Sequence, residues 1–441
     1  MKDALLYRGE EILLDIPSSL SFEEFFPIDQ TYLFPLSHRS GICFSSLIKS
    51  GERVTRGQKI AHDPSSHIPS LHSPVTGVIE KIEDVRYSEY GTTPCICIKG
   101  ESSEDSLRSI DIDTRSSNTF VTQLRDAGID IFEQSRGWQW MQIEEDDTYQ
   151  IRDIVINGIG SGLSGIVEKA IILNEPDRIR DGIELIKKVW SPERIYLVIN
   201  SDHTDLKESL TEKGIDRELD LVELKSYYPL GHPLLLYKEI FKEEIPMPNG
   251  NPLKMGVGII GVEDLIHAVD AINENMPLLN RHILVTGGGI QGPKLLKVPV
   301  GIPIRSVIDA CGGIRGREGR VVLGNPFNGM AQVSMDMPVQ RDTKWIFVQR
   351  EDEVSKDSYR ACINCGDCVD ICPMNLLPNM LGRYCEFSQF EDAARMYDLF
   401  TCIECGLCAY VCPSRRPLVH FIRYGKWELL LKRKGDHEQQ S

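Results

Sequence analysis

The sequence predicts a multidomain protein of mixed α/β and α+β class, and three observations carry that expectation. At 441 residues the chain is too long for one hydrophobic core. Its patterning changes along its length, from short β-type runs to alternating strand and helix, then to Gly- and Pro-rich strands, and finally to helix. Near its end a cysteine-rich run occurs twice, at 362–373 and 402–413. The expected divisions are an N-terminal segment at 1–32, a barrel-sandwich domain at 33–100 and a Rossmann-like α/β domain at 115–250. A β-grasp domain at 251–345 and a helical cysteine-loop domain at 355–434 complete the chain.

Composition narrows the class. The chain is 41% hydrophobic and 26% charged, ordinary for a folded domain protein. A net charge of −16 excludes a general nucleic-acid binder, which needs a basic surface against phosphate, so no nucleic-acid partner is expected. The opening "MKDALLYRGEEILLD" has no uninterrupted apolar core and does not resemble a secretory signal. No run of about 18 apolar residues occurs, so no transmembrane segment of the chain's own is expected. A soluble protein, or one held on a membrane surface by partners, is the expectation. Of 13 cysteines, nine lie between Cys362 and Cys412, a clustering that suits metal binding in a reducing cytoplasm better than a disulfide framework.

Each element follows from its own stretch. Residues 47–82, "LIKSGERVTRGQKIAHDPSSHIPSLHSPVTGVIEKI", alternate β-type runs with expected turns at Gly51, Gly57 and Gly77, the pattern of a barrel-sandwich of the biotinyl/lipoyl type. A carrier of that type presents a modifiable lysine at a hairpin tip. None falls between Lys59 and Lys81, so the domain is expected to be scaffold. Next, "FVTQLRDAG", "IRDIVIN", "DRIRDGIELIKKVW" and "RIYLVIN" alternate helix and strand, as a parallel α/β sheet requires. From 252 to 345 short strands return with many Gly and Pro, suggesting a β-grasp-like module. The end, "FIRYGKWELLLKRK", sets Phe421, Tyr424, Trp427 and Leu431 at helical spacing with Lys432, Arg433 and Lys434 behind them. It suits either a solvated last helix or one that docks on an acidic or membrane-embedded partner.

The strongest chemistry lies in "CINCGDCVDICP" and "CIECGLCAYVCP", each C-x2-C-x2-C-x3-C-P. Three thiolates at this spacing converge on a tight turn and hold three corners of a [4Fe–4S] cube, while the fourth cysteine ligates the cluster of the other run. One cluster is therefore expected on Cys362, Cys365, Cys368 and Cys412, and a second on Cys402, Cys405, Cys408 and Cys372. A pair of zinc sites is the competing reading, but zinc knuckles pair two C-x2-C units across a longer gap. Cys385, Cys43, Cys95, Cys97 and Cys311 are expected to be packed core thiols.

A second motif, "INGIGSGLSG" at 156–165, matches G-x-G-x-x-G at Gly160, Gly162 and Gly165, between a strand and a helix. Against a phosphate cradle stand a second match, "GGGIQG" at 287–292, which runs into Pro293, and the lack of an acidic strand end some twenty residues on. The region around Asp181 and Glu184 is expected to be helix. A helix-packing turn is the favoured reading; an anion on the loop amides is the alternative.

Further stretches carry a resemblance. They are "PLSHRSG" at 35–41, "SGERVTRGQKIA" at 50–61, "LHSPVTGVIEKI" at 71–82 and "YYPLGHPLLLY" at 227–237. With "VTGGGIQGP" at 285–293, "VPVGIPIRSVIDACGG" at 298–313, "GNPFNGMAQ" at 324–332 and both cysteine runs, they resemble the C subunit of the Rnf-type ion-translocating ferredoxin:NAD oxidoreductase, the RnfC-like family, from about residue 33 to 424. The resemblance implies a complex-I-flavoprotein-like α/β domain for FMN and NADH, an SLBB-like β-grasp domain and a ferredoxin-type dicluster domain. It departs at the nucleotide loop. The family's glycine-rich loop after "AGI" is replaced by "DIFEQSRGWQWMQ" behind Ala127, Gly128 and Ile129, with Asp130 and Glu133 near the phosphate position and Trp138 and Trp140 beyond. The acidic family motif after the next strand is replaced by "IGSGLSG" behind Asn157 and Gly158. No tight FMN binding and no NADH oxidation by the chain alone are expected.

Three functions remain open on this reading. The first is an electron-transfer subunit of an Rnf-type complex, peripheral on the cytoplasmic face of the membrane, wired to other subunits and to ferredoxin or an NADH-linked carrier. The second is a non-catalytic assembly and wiring subunit. The third is a stand-alone flavin and iron–sulfur reductase of the cobalamin reductase type.

Overall fold

The computed structural model describes residues 2–5, 11–14, 16–17, 20–37, 42–65, 68–88, 91–102, 112–133, 150–160, 162, 165–247 and 250–438. The expected features at Trp138 and Trp140 lie outside them.

Strands β1 (Lys2–Leu5) and β2 (Glu11–Leu14) form an antiparallel pair, and β3 (Glu23–Glu24) reaches the edge of a distant sheet. The barrel-sandwich follows as β4 (Thr31–Pro35), β5 (Ser45–Ser46), β6 (Arg53–Val54), β7 (Lys59–His62), β8 (Leu71–His72), β9 (Thr76–Ser88) and β10 (Gly91–Ser102). Its two sheets, β4-β10-β9-β6 and β5-β7-β8, contribute Tyr32, Phe34, Val54, Ile60, Ile79, Ile96 and Ile98 to one core. Gly77 lies inside β9, not in the expected turn: a Cβ there would stand 2.0 Å from the Lys99 carbonyl oxygen of β10. Cys95 and Cys97 alternate with Ile96 and Ile98 along β10 and are also buried, whereas Cys43 is exposed at a single bridge to Ser37 and is not the expected core thiol.

The α/β domain runs α1 (Ser117–Asp126), β11 (Asp153–Asn157), α2 (Ile166–Asn174), α3 (Pro176–Trp190), β12 (Arg194–Asn200), α4 (Thr204–Glu212), β13 (Asp220–Leu224), α5 (Pro233–Phe241), β14 (Val257–Gly261) and α6 (Val262–Asn273). All pairs in the sheet β13-β12-β11-β14 are parallel. Helices on both faces explain why "DIVIN" and "VGIIG" are continuously apolar and wholly buried. Successive residues point oppositely, so Ile154 and Ile156 join the main core while Val155 packs with Leu236, Tyr237 and Ile259. The sheet passes the expected boundary at residue 250. β14 pairs with β11 along its whole length, although Pro246, Gly250 and Pro252 before it carry turn signals in the sequence.

Residues 280–350 form a mixed sheet from β15 (Asn280–Thr286), β16 (Lys294–Pro299), β17 (Glu318–Leu323), β18 (Met330–Ala331) and β19 (Trp345–Arg350), with α7 (Ile304–Ala310) between β16 and β17. The order is β18-β17-β19-β15-β16-β3, with β15 and β19 parallel at its centre.

The last domain comprises α8 (Asp367–Asp370), α9 (Pro378–Glu386), α10 (Phe390–Tyr397), α11 (Leu407–Tyr410) and α12 (Leu418–Glu438). Leu381, Cys385, Ala393, Leu399, Ile422 and Leu429 form its core. The inward stripe of α12 is Leu418, Ile422, Gly425, Lys426 and Leu429. Of the stripe expected from sequence, Tyr424 and Leu431 are exposed and Phe421 is half-buried, because α12 turns its neighbouring face to α9 and α10. Among the described residues no helix is long and apolar enough to cross a membrane.

Candidate functional site

The two cysteine runs fold alike. Asn364 and Glu404 adopt left-handed backbone conformations (φ 56° and 55°), and their amides donate to Cys362 Sγ and Cys402 Sγ, each at 3.4 Å. Gly366 and Gly406 turn the chain into the one-turn helices α8 and α11, which carry Cys368 and Cys408. Asn375 and Arg415 then reverse the chain after Cys372 and Cys412, their amides donating back to those cysteines' carbonyls at 3.1 and 2.9 Å. Local repetition thus produces a pseudo-twofold pair of loops.

Two cavities result. One is lined by Cys402, Cys405, Cys408 and Cys372, the other by Cys362, Cys365, Cys368 and Cys412. Each brings three cysteines of one run to the fourth cysteine of the other; Cys385 lines neither. Four converging sulfurs with amides aimed at them fit an iron–sulfur cube. Burial pushes the Cys368 thiol up to about 11, and raises Cys372, Cys402, Cys405 and Cys408 as well. Iron must displace these protons to enter.

The surroundings differ. Cys362, Cys365 and Ile363 are exposed, and Asn364, Asn379, Ser414 and Arg416 share their cavity. The 402 loop is covered: a Cβ on Gly406 would lie 2.1 Å from the Phe327 carbonyl oxygen. Phe327 stacks on Tyr228, whose hydroxyl donates to the Cys405 carbonyl at 2.7 Å. Lys426 Nζ donates to the Cys402 carbonyl (2.6 Å) and to Glu404 (2.8 Å), and Arg423 holds Glu404 from the other side (2.9 Å). Burial alone would raise the Glu404 carboxyl; Lys426 and Arg423 outweigh it and hold it below its ordinary value. Sequence reasoning missed this brace. Its one signal is a lysine four residues after Ile422, at a buried helical register.

The second candidate is the crevice beyond the carboxyl ends of β11 and β14, where the strand order reverses and open α/β sheets bind ligands. Asn157 and Gly261 stand opposite each other there. Asn157 Nδ2 donates to Glu133 (2.6 Å) and to the Gly231 carbonyl (2.9 Å), and its Oδ1 accepts the Gly160 amide at 3.0 Å. That amide is therefore already committed. A Cβ on Gly160 would stand 2.2 Å from the Glu168 carboxyl carbon, and one on Gly261 would meet Asp264 at 2.6 Å and Glu133 at 2.9 Å. Lys344 answers Glu168 at 2.9 Å; burial would lower its pKa, but Glu168, Glu133, Asp264 and Glu263 push it up. The Gly160 and Gly162 positions of "GIGSGLSG" thus pack against Glu168 and the Trp345 indole. Three carboxylates, Glu133, Glu168 and Asp264, thus stand in the crevice, with Lys344 paired to Glu168.

Residues 21–103 match the RnfC barrel sandwich hybrid domain, 130–271 the Nuo51 FMN-binding domain and 361–415 the 4Fe-4S dicluster domain. The C subunit of the proton-translocating ferredoxin:NAD(+) oxidoreductase complex of Clostridium ljungdahlii is 26% identical, covering 92% of this chain and 89% of that protein. The C subunit of the ion-translocating oxidoreductase complex of Methanosarcina acetivorans is 29% identical, covering 90% and 92%. An NAD+-reducing [NiFe]-hydrogenase in the H2-reduced state overlays with a TM-score of 0.47, at 14% identity over 72% of this chain and 61% of its own. With these three domains in this order and the two C subunits aligned over most of its length, the chain is an RnfC-like protein.

Proposed function

We propose that the chain is an electron-transfer subunit of a membrane-associated, Rnf-type ion-translocating oxidoreductase complex, joining a ferredoxin- or NADH-linked carrier to membrane partners. The observation that carries this reading is the pair of four-cysteine cavities built across the two runs. Cys362, Cys365, Cys368 and Cys412 hold one [4Fe–4S] cluster; Cys402, Cys405, Cys408 and Cys372 hold the other. Bound clusters supply acceptance and release of single electrons. The chain's own part is to orient the sulfurs with the Asn364 and Glu404 amides, to leave the 362 loop open to a soluble carrier and to cover the 402 loop with Phe327, Tyr228 and Lys426.

The finer architecture belongs to the same proposal. The order β16-β15-β19-β17, with central strands parallel and α7 between β16 and β17, supports a β-grasp domain of the SLBB-like type over residues 280–350. The chain is peripheral, on the cytoplasmic face. The acid-lined crevice favours a variant of the reading in which the subunit wires and assembles without a nucleotide site of its own. It disfavours a stand-alone cobalamin-type reductase, which needs its own flavin.

Anaerobic purification tests this reading. About eight irons and eight sulfides per chain are expected, with membrane fractionation only when partner subunits are co-expressed. Cys372→Ser should remove the cluster of the 402 cavity and leave that of the 362 cavity. Loss of the latter instead refutes the crossed assignment, and a flavin-bearing protein that never joins membranes refutes the complex.

A further inference from the structure

Outside both cysteine cavities, α6 and β15 bring a second donor set together. Glu263 and His267 are four residues apart on one face of α6, and His282 projects from β15 against them. All three are buried, with exposures of 0%, 6% and 2%. Glu263 Oε1 lies 3.2 Å from His282 Nδ1 and 3.7 Å from His267 Nε2, and all three donor atoms lie within 4.8 Å of one another. Ligands about 2.0–2.1 Å from a tetrahedral zinc stand roughly 3.3 Å apart, so small side-chain shifts close this triangle on an ion.

Three features separate the triad from an ordinary buried ion pair. His267 Nε2 faces Glu263 Oε1 at 3.7 Å, longer than an ordinary hydrogen bond. Each donor is backed by a polar group on its other side. Arg281 holds Glu263 Oε2 at 2.7 Å, Glu175 lies 3.6 Å from His282 Nε2, and Asp270 lies 4.0 Å from His267 Nδ1. Arg178 in turn pairs with both Glu175 and Asp270. Carboxylates commonly stand behind metal-bound imidazoles, and Glu175 and Asp270 lie within ion-pair range of these two. The third feature is charge. Glu133, Glu168, Glu175, Glu263, Asp264 and Asp270 face Arg178, Arg281 and Lys344, an excess of three negative charges in a buried region. A buried excess of this size calls for a cation.

We propose that Glu263, His267 and His282 bind one divalent d-block cation, of the zinc class, as a structural site that ties α6 to β15 across the junction of the α/β domain and the mixed sheet. Two imidazoles and a carboxylate select such an ion over magnesium or calcium, which prefer all-oxygen ligands. The site is independent of the cysteine cavities and of the electron-transfer reading.

The test uses the full chain with both iron–sulfur cavities loaded, expressed with zinc in the medium and gel-filtered anaerobically. About one zinc per chain is expected, with an X-ray absorption shell of nitrogen and oxygen near about 2.0 Å. His282→Gln should lose the zinc and keep the iron. Less than about 0.1 zinc per chain in the loaded wild type overturns the proposal, as does a sulfur shell near about 2.3 Å, which would put the zinc on cysteines. Zinc retained by His282→Gln overturns it as well. If that variant fails to fold, the wild-type stoichiometry and shell decide.

Discussion

Lys426→Met should loosen one cysteine loop and spare the other. The lysine side chain is 2% exposed, and its ammonium makes two short contacts, 2.6 Å to the Cys402 carbonyl and 2.8 Å to Glu404. Methionine keeps the stem that packs beside Ile422 and Leu429 but removes the charge. The Cys402 carbonyl then loses its side-chain donor, and Glu404, 14% exposed, keeps one cation in place of two. Removing one partner of a buried pair costs about 3–5 kcal/mol; the remaining Arg423 contact puts this case at the lower end, about 3 kcal/mol. At about 1.4 kcal/mol per tenfold, local opening of the 402 loop becomes on the order of 100-fold more frequent.

The assay is loss of visible absorption under an iron chelator, with opening rather than chelation limiting. About four irons should leave on the order of 100-fold faster than in wild type, by the opening ratio above, and the rest at the wild-type rate. The double variant Lys426→Met, Glu404→Gln should lose that iron at least as fast, because the neutral amide leaves Arg423, 15% exposed, without its carboxylate. If both cavities lose iron together, or neither changes, the brace has no role and the estimate is wrong.

The nucleotide crevice predicts silence: titration of the cluster-loaded chain with FMN or NADH should give no heat of binding, and micromolar affinity for either would show that Glu133, Glu168 and Asp264 rearrange. Cluster assembly should depend on pH with a definite sign. Burial raises Cys368 to about 11 and its neighbours in the same direction, so the thiol form is favoured at neutral pH and iron must displace protons. Anaerobic reconstitution should therefore improve steadily as pH rises from neutrality, and a flat profile would count against displacement of thiol protons by iron. Truncation after Gly425 should abolish iron in the 402 cavity and not merely weaken membrane attachment, since Lys426, Leu429 and Leu430 are buried in the dicluster domain. Retention of eight irons in that variant would contradict the packing of α12.

The dicluster domain was legible in the sequence because its geometry is local. Three donors sit within seven residues, glycine and C-P punctuation repeat forty residues on, and the same turns appear at Asn364 and Glu404, Gly366 and Gly406, Asn375 and Arg415. The barrel-sandwich and the parallel strands were legible for a related reason: alternation and continuous apolar runs report which faces are buried. What the sequence hid is what the tertiary fold assembles from afar. Glu168 in the first turn of α2 has the look of a solvated acid at a helix N-terminus, yet it is buried, and the lysine that answers it is 176 residues away. Glu263, His267 and His282 sit inside apolar-looking helix and strand, and nothing local marks their convergence. The glycine loop shows the difference most sharply. A run of glycines records only that something stands too close for a Cβ; it is silent on what that neighbour is. At Gly160 the neighbour is the Glu168 carboxylate and at Gly162 the Trp345 indole at 3.0 Å. The spacing of a phosphate cradle is met here by a loop pressed against a buried carboxylate, itself paired to Lys344.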